Sequence, residues 1–217
     1  MEKKDFLTSC ETIGSLHFPR WNELPEFELY MDQVIALAEK YLSALSPDNK
    51  GLLTPSMINN YVKSGVLPPP KNKKYNRTHL AMLMIICTMK SVLEISSISD
   101  IIDKSIAAGN IENVLDTFAE MYETALAKSA KKAHIAAAAS ESDHILGMIA
   151  IENALHASAA RTVAMHAYKV IESGEISREE MPKQRSDKAE KKAAKAKKEA
   201  SEKEENQIEE KSPAEQE

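Results

Sequence analysis

The chain holds 217 residues, with 28 Lys and Arg against 33 Asp and Glu for a formal net charge of −5, and only 5% of its residues are aromatic. So few aromatics argue against a large β-sandwich, and six scattered glycines leave little material for a phosphate-cradling loop, so the composition favours helices. The longest apolar stretch, Leu80 to Cys87, is far too short to span a bilayer.

The charge is unevenly spread. Residues 1–53 sum to −4, 54–90 to +6, 91–182 to −7 and 183–217 to 0. The positive stretch carries Lys63, Lys71, Lys73, Lys74, Arg77 and Lys90 and no Asp or Glu. A basic island between acidic neighbours suits a surface that meets a polyanion.

Taken in order, residues 1–15 read as a loose N-terminus with no continuous apolar core of a signal peptide. Cys10 and Cys87 are the only cysteines, and Cys87 falls in an apolar run where a free thiol behaves as a small hydrophobe. The expected setting is the reduced cytoplasm, with no membrane partner. Leu16 to Glu28 mixes Phe18, Trp21, Leu24 and Phe27 with Pro19 and Pro25, which predicts an extended arm anchored by its aromatics, Trp21 as a packing anchor. From about Glu28 to Ala44, Leu29, Val34, Leu37, Ala38, Tyr41 and Leu42 form the stripe of a first helix, and Ser46 to Gly51 is its turn-rich exit.

Thr54-Pro55 then reads as an N-cap with proline at the first helical position. Met57, Ile58, Tyr61 and Val62 face inward, while Ser56, Asn59, Asn60 and Lys63 fall on the other side. Gly65 ends the helix, and Pro68-Pro69-Pro70 prevents its resumption. Lys71 to Tyr75 is a short cationic loop, and Asn76 caps a second helix from Arg77 to about Leu93. Helix, proline-stopped turn, cationic loop and helix are the layout of a winged helix-turn-helix reader.

Beyond Lys90 an apolar helical pattern runs to Ile106 with a break near Ser96-Ser97, and Ala107 to Asn110 marks a boundary. Ile111 to Lys128 is an amphipathic helix, and residues 129–172 are Ala-rich and helical by propensity. Small residues there allow close helix–helix approach, which makes this half the candidate for dimerisation and for an effector or protein partner. His134, His144, His156 and His166 are spaced by 10, 12 and 10, not the i, i+4 spacing of a helical metal site, so no metal or other cofactor is expected. Residues 183–217 hold almost no apolar side chains and read as a disordered Lys/Glu-rich tail. The predicted class is all-α: a reader over 16–106, a helical region over 107–182, and the tail. No catalytic motif stands in the sequence, so no enzyme is expected.

MINNYVKSGVLPPP followed by KKYNRTHL resembles the DNA-binding head of MerR-type regulators, which have a recognition helix, a Gly-Leu-Leu-Pro-like turn, a wing, and a Tyr before a capped helix. The register runs without gaps from Thr54 to Pro70 and resumes at Tyr75 after a wing shorter than usual. Phe18-Pro19-Arg20-Trp21, Leu24-Pro25 and Leu29-Tyr30-Met31-Asp32-Gln33 precede it as in the bacterial domain of unknown function 1836 family, a resemblance spanning about Leu16 to Asp103. It implies a DNA-binding transcriptional regulator.

On that reading Ser56, Asn59, Asn60 and Lys63 face bases in the major groove, Asn being able to bond the N6/N7 edge of adenine. Thr54, Lys71, Lys73, Lys74, Tyr75 and Arg77 face phosphates, which position without specifying. The alternatives are a plain hydrated helix face, and for Tyr75 a buttress of the wing. The expected partner is double-stranded DNA, bound by a homodimer. The alternative from a different class is a helix-turn-helix adaptor or scaffold that binds a protein through its acidic helical half.

Overall fold

The computed structural model describes residues 3–45, 51–142 and 144–173. They form helices α1 (Lys3–Gly14), α2 (Met31–Leu42), α3 (Pro55–Lys63), α4 (Arg77–Met89), α5 (Ile95–Ala108), α6 (Ile111–Ala139) and α7 (His144–Ser173), with single 3-10 turns at Trp21–Glu23 and Ser43–Leu45. Among the described residues there is no β-strand, only the isolated antiparallel bridges Leu29–Tyr75 and Lys71–Lys74. The helices fall in one unit, Met1–Ser173; the second unit, Gly174–Glu217, and with it the expected tail and the expected end of the helical region at 182, lies outside the described residues.

The main core gathers Val34, Ala38 and Leu42 of α2, Ile58 and Tyr61 of α3, nearly all of α4, Ile98 and Ile102 of α5, and Leu115 and Ala119 of α6. The central helix α4 is buried continuously from His79 to Cys87, which is why its sequence reads as an apolar run rather than a stripe. Its start is fixed by Asn76, whose Oδ1 accepts from the His79 N–H at 3.2 Å, while the Asn76 N–H donates to His79 Nδ1 at 3.1 Å. This is a reciprocal capping box with histidine in the role usually held by Glu or Gln.

Four expectations need correcting. Residues 3–14, expected to be loose, form α1, because Phe6, Leu7, Cys10 and Ile13 make an apolar stripe that packs with Ala130, Ala133, Ala137 and Ile149 in a second core cluster. Gly14 permits that approach; a Cβ there would stand 3.3 Å from the Ala130 Cβ. The break expected at Ser96-Ser97 falls earlier, at 90–94, where the Val92 and Leu93 N–H groups both donate to the Met89 carbonyl and end α4. Ser96 and Ser97 lie instead in the first turn of α5. The reader expected over 16–106 is not closed at 106, since the first half of α6 supplies the fully buried Leu115 and Ala119 to its core. Finally, α2 starts at Met31 rather than Glu28, because Leu29 exchanges both backbone hydrogen bonds with Tyr75 at 2.8 Å and is held extended.

The arm 16–28 is clipped to α6. Phe18 is fully buried, edge-on to Phe118 at 5.4 Å and to Tyr122 at 6.0 Å. Glu123 Oε1 accepts from the Phe18 N–H at 2.8 Å, and the Glu123 carboxylate takes both Arg20 guanidinium nitrogens, at 3.0 and 2.6 Å. The Trp21 N–H donates to Asp116 at 2.7 Å. These bonds hold Glu123 below the usual carboxylate range, chiefly through the Arg20 hydrogen bond.

Candidate nucleic-acid interface

Helix α3 begins as its sequence dictates: Thr54 Oγ1 accepts from the Met57 N–H at 3.3 Å, and Pro55 occupies the first turn. Ile58 and Tyr61 anchor its inner face in the core. Ser56, Asn59, Asn60 and Lys63 stand at i, i+3, i+4 and i+7 and are all exposed, so they form one continuous ridge. Gly65, at φ +81°, closes the helix by donating to the Val62 carbonyl at 3.2 Å; the Leu67 N–H donates to Tyr61 at 3.0 Å. Val66 and Leu67 are buried, which pins the connection that leads to the cationic loop.

That loop is a two-residue turn. Lys74 N–H donates to the Lys71 carbonyl at 2.9 Å, and the central pair Asn72 and Lys73 have φ of 51° and 61°. Both positive values are the signature of the type I′ hairpin turn, where Asn-Gly is the favoured pair. Here lysine stands where glycine would be unstrained, so the turn keeps a cation at its tip against its own backbone preference. Where a wing is expected there is one bridge under one turn.

The predicted residues divide in two. Thr54, Ser56, Asn59, Asn60, Lys63, Lys71 and Lys73 are exposed, and none of Lys63, Lys71, Lys73 and Lys74 has an ion-pair partner among the described residues. Lys74 is half-buried, its ammonium 5.5 Å from the centre of the Tyr30 ring. Tyr75 and Arg77 do not fit the phosphate role. Tyr75 is buried, bridged to Leu29 and edge-on to His79 at 5.4 Å; burial pushes its hydroxyl pKa up. Arg77 is turned under the arm: it lies over the Trp21 ring at 5.2 Å, pairs with Glu26 at 3.2 Å and donates to the Pro25 carbonyl at 3.4 Å. Lys90, the last cation of the island, donates to the Leu52 carbonyl.

Sequence reasoning missed Tyr30, which is 53% exposed beside the turn and carries Lys74 on its ring. The signal was the two-residue alternation at 29–30, Leu29 inward and Tyr30 outward, which a helix beginning at Glu28 conceals. Behind the ridge, Asn60, Ser64, Ser96, Ser99 and Asp100 line an open cleft of about 510 Å³ between α3 and α5. Among the described residues no group of three or more His, Cys, Asp and Glu is placed to hold a metal ion, and no helix is long and apolar enough to cross a membrane.

Residues 19–125 match the model of a family described as Domain of unknown function (DUF1836). The matched segment contains the ridge, the turn and the Arg20–Glu123 pair of the arm clamp, and it supports the family resemblance while extending it beyond Asp103 into α6. No curated protein and no solved structure matches the chain.

Proposed function

We propose that this chain is a sequence-specific double-stranded DNA-binding transcriptional regulator with a MerR-like winged helix-turn-helix head, acting as a homodimer in the cytoplasm and binding rather than catalysing. The observation that carries the reading is the pairing of a polar, carboxylate-free ridge on α3 with a strained turn that holds unpaired lysines. Asn59 and Asn60 offer paired donors and acceptors to base edges, whereas Lys71, Lys73 and Lys74 are point charges suited to phosphates. Tyr30, exposed beside the turn, joins the phosphate side in place of Tyr75. Arg77 serves the arm.

The test compares variants on matched duplexes. Asn59→Ala and Asn60→Ala relax base preference, while Lys71→Ala and Lys73→Ala weaken all sequences alike. Unaltered specificity in both Asn variants would overturn the assignment of α3 as the reading helix.

A further inference from the structure

The cleft behind the ridge is built from two helix faces. Asn60 and Ser64, four residues apart, belong to the end of α3, and Ser96, Ser99 and Asp100, at i, i+3 and i+4, to the first turns of α5. Tyr61, Val66 and Ile95 supply its apolar lining. Its volume of about 510 Å³ falls in the lower half of the range of small-molecule sites, roughly 300–1,000 Å³. Two contacts steady the polar groups. The Ser64 hydroxyl donates to the Asn60 carbonyl at 2.9 Å, and Asp100 Oδ2 accepts from the Tyr168 hydroxyl of α7 at 2.6 Å. A carboxylate offers about four acceptor sites, so Asp100 retains capacity for a ligand.

The lining says which chemistry it takes. It holds no Lys, Arg or His, so a phosphate or carboxylate ligand finds no counter-charge. Its one carboxylate is exposed and shared with Tyr168, which leaves an amine only a solvent-screened ion pair. Among the described residues no group of three or more His, Cys, Asp and Glu is placed to hold a metal ion. What the cleft offers is an amide, serine hydroxyls and an acceptor carboxylate beside an apolar wall. A hydroxyl both donates and accepts. A neutral ligand with several of them can donate to Asp100 and the Asn60 side-chain oxygen, and accept from the serines and the Asn60 amide. Its C–H face then covers the apolar lining.

We propose that this cleft binds a small neutral polyhydroxyl ligand of the monosaccharide or sugar-alcohol class, and that its occupancy weakens DNA reading by α3. Asn60 belongs to both surfaces, exposed on the ridge and lining the cleft. At about 100° per residue, Ser64 falls about 40° past Asn60 on the side away from Asn59, so Asn60 forms the border between ridge and cleft. An amide engaged by the ligand is lost to a base edge, and by linkage DNA lowers the affinity for the ligand by the same factor. The site stands independently of DNA binding; only the coupling rests on the function proposed above.

The test uses the full chain. Saturation-transfer NMR is run with D-glucose, D-ribose, myo-inositol and ribitol at millimolar concentration, and with putrescine and a phosphate monoester, methyl phosphate, as charged probes. At least one polyhydroxyl probe gives a signal and the charged probes give none. Ser99→Leu, which fills the cleft, abolishes that signal. Asn60→Ala, at an exposed position, weakens it with the cleft left open, so the test survives a Ser99→Leu protein that fails to fold. Silence from all the polyhydroxyl probes, a stronger signal from either charged probe, or a signal unmoved by Asn60→Ala would overturn the site. In a titration with duplex DNA retained from a random-sequence pool, the active probe lowers the affinity of the unaltered protein about 5-fold or more and leaves that of Ser99→Leu unchanged. An unchanged affinity in the unaltered protein would overturn the coupling alone. Failure to bind any DNA would overturn the function proposed above and the coupling with it, while the NMR result decides the site.

Discussion

The guanidinium of Arg77 lies over the ring of Trp21, 5.2 Å from its centre, and pairs with Glu26 at 3.2 Å. Arg77 opens α4 in the middle of the basic island, yet this contact spends it on holding the arm. The island's charge in sequence therefore overstates the charge it offers to a ligand, with Lys90 bound to the Leu52 carbonyl as well.

Arg77→Ala is accordingly expected to act on stability. Losing one cation–π contact should cost about 1 kcal/mol, a fall in Tm of roughly 2–4 °C for a chain of this size, since the Glu26 side of the pair is exposed and adds little. The slope of log affinity for DNA against log salt should stay unchanged. Removing a lysine that neutralises a phosphate should instead reduce that slope by about 0.9. A slope that falls equally in Arg77→Ala would show that the arm releases this residue to the ligand.

Lys73→Gly should separate stability from binding within one turn. With φ at 61°, lysine is strained where glycine is not, so the substitution should leave the fold unharmed or raise Tm slightly. DNA affinity should fall because a phosphate-facing charge is lost. Thermal unfolding and a binding titration on the same preparation check this; a destabilised variant with full affinity would contradict the account of the turn.

Tyr30 and Tyr75 should behave oppositely. Tyr30→Ala removes an exposed ring and its Lys74 contact, and is expected to weaken DNA binding several-fold with little change in Tm. Tyr75→Ala empties a buried site and should cost about 3–5 kcal/mol, the range for buried aromatics. Circular dichroism melts and titrations of both variants decide the matter.

His79 predicts a pH dependence. Burial lowers its pKa below the ordinary 6.5; Nδ1 accepts from the Asn76 N–H, and Nε2 is buried without a hydrogen bond among the described residues, though the Pro68 and Pro69 carbonyls partly favour a proton. Above 6.5 both folded and unfolded chains carry a neutral ring and the stability is complete. As pH falls below 6.5 the unfolded chain takes a proton that the folded chain refuses, so stability declines until the folded pKa is reached. His79→Gln keeps an acceptor for the Asn76 N–H and should flatten this decline. Equal slopes for both proteins, in denaturant titrations from about pH 7.5 to 5.5, would assign the effect elsewhere. A separate loss lies lower: Glu123, held down by Arg20, gives stability that is present above its ordinary value of 4.5 and disappears as pH falls through its folded pKa.

The parts of this fold legible in the sequence are those written locally. Thr54-Pro55, Gly65 and the three prolines announce α3 and its end, and Asn76 announces α4, because caps and stops act over a few residues. The exposed ridge followed from the same short period. What the sequence concealed depends on distant partners. Arg77 is removed from the island by Trp21 and Glu26, some fifty positions earlier, and Tyr75 is buried by pairing with Leu29. The arm clamp joins Phe18 and Arg20 to Glu123, a carboxylate that on its own helix looks like any solvated acid. The stripe of α1 is written in Phe6, Leu7, Cys10 and Ile13, but polar neighbours dilute it.

The most direct test of the central claim is selection of duplexes from a random-sequence pool by the full chain, at about 50 and 200 mM salt, followed by sequencing of what is retained. The account predicts an enriched, roughly palindromic motif whose retention falls at the higher salt. Retention of duplexes without any motif would contradict sequence-specific reading by α3, and no retention even at low salt would contradict DNA binding itself.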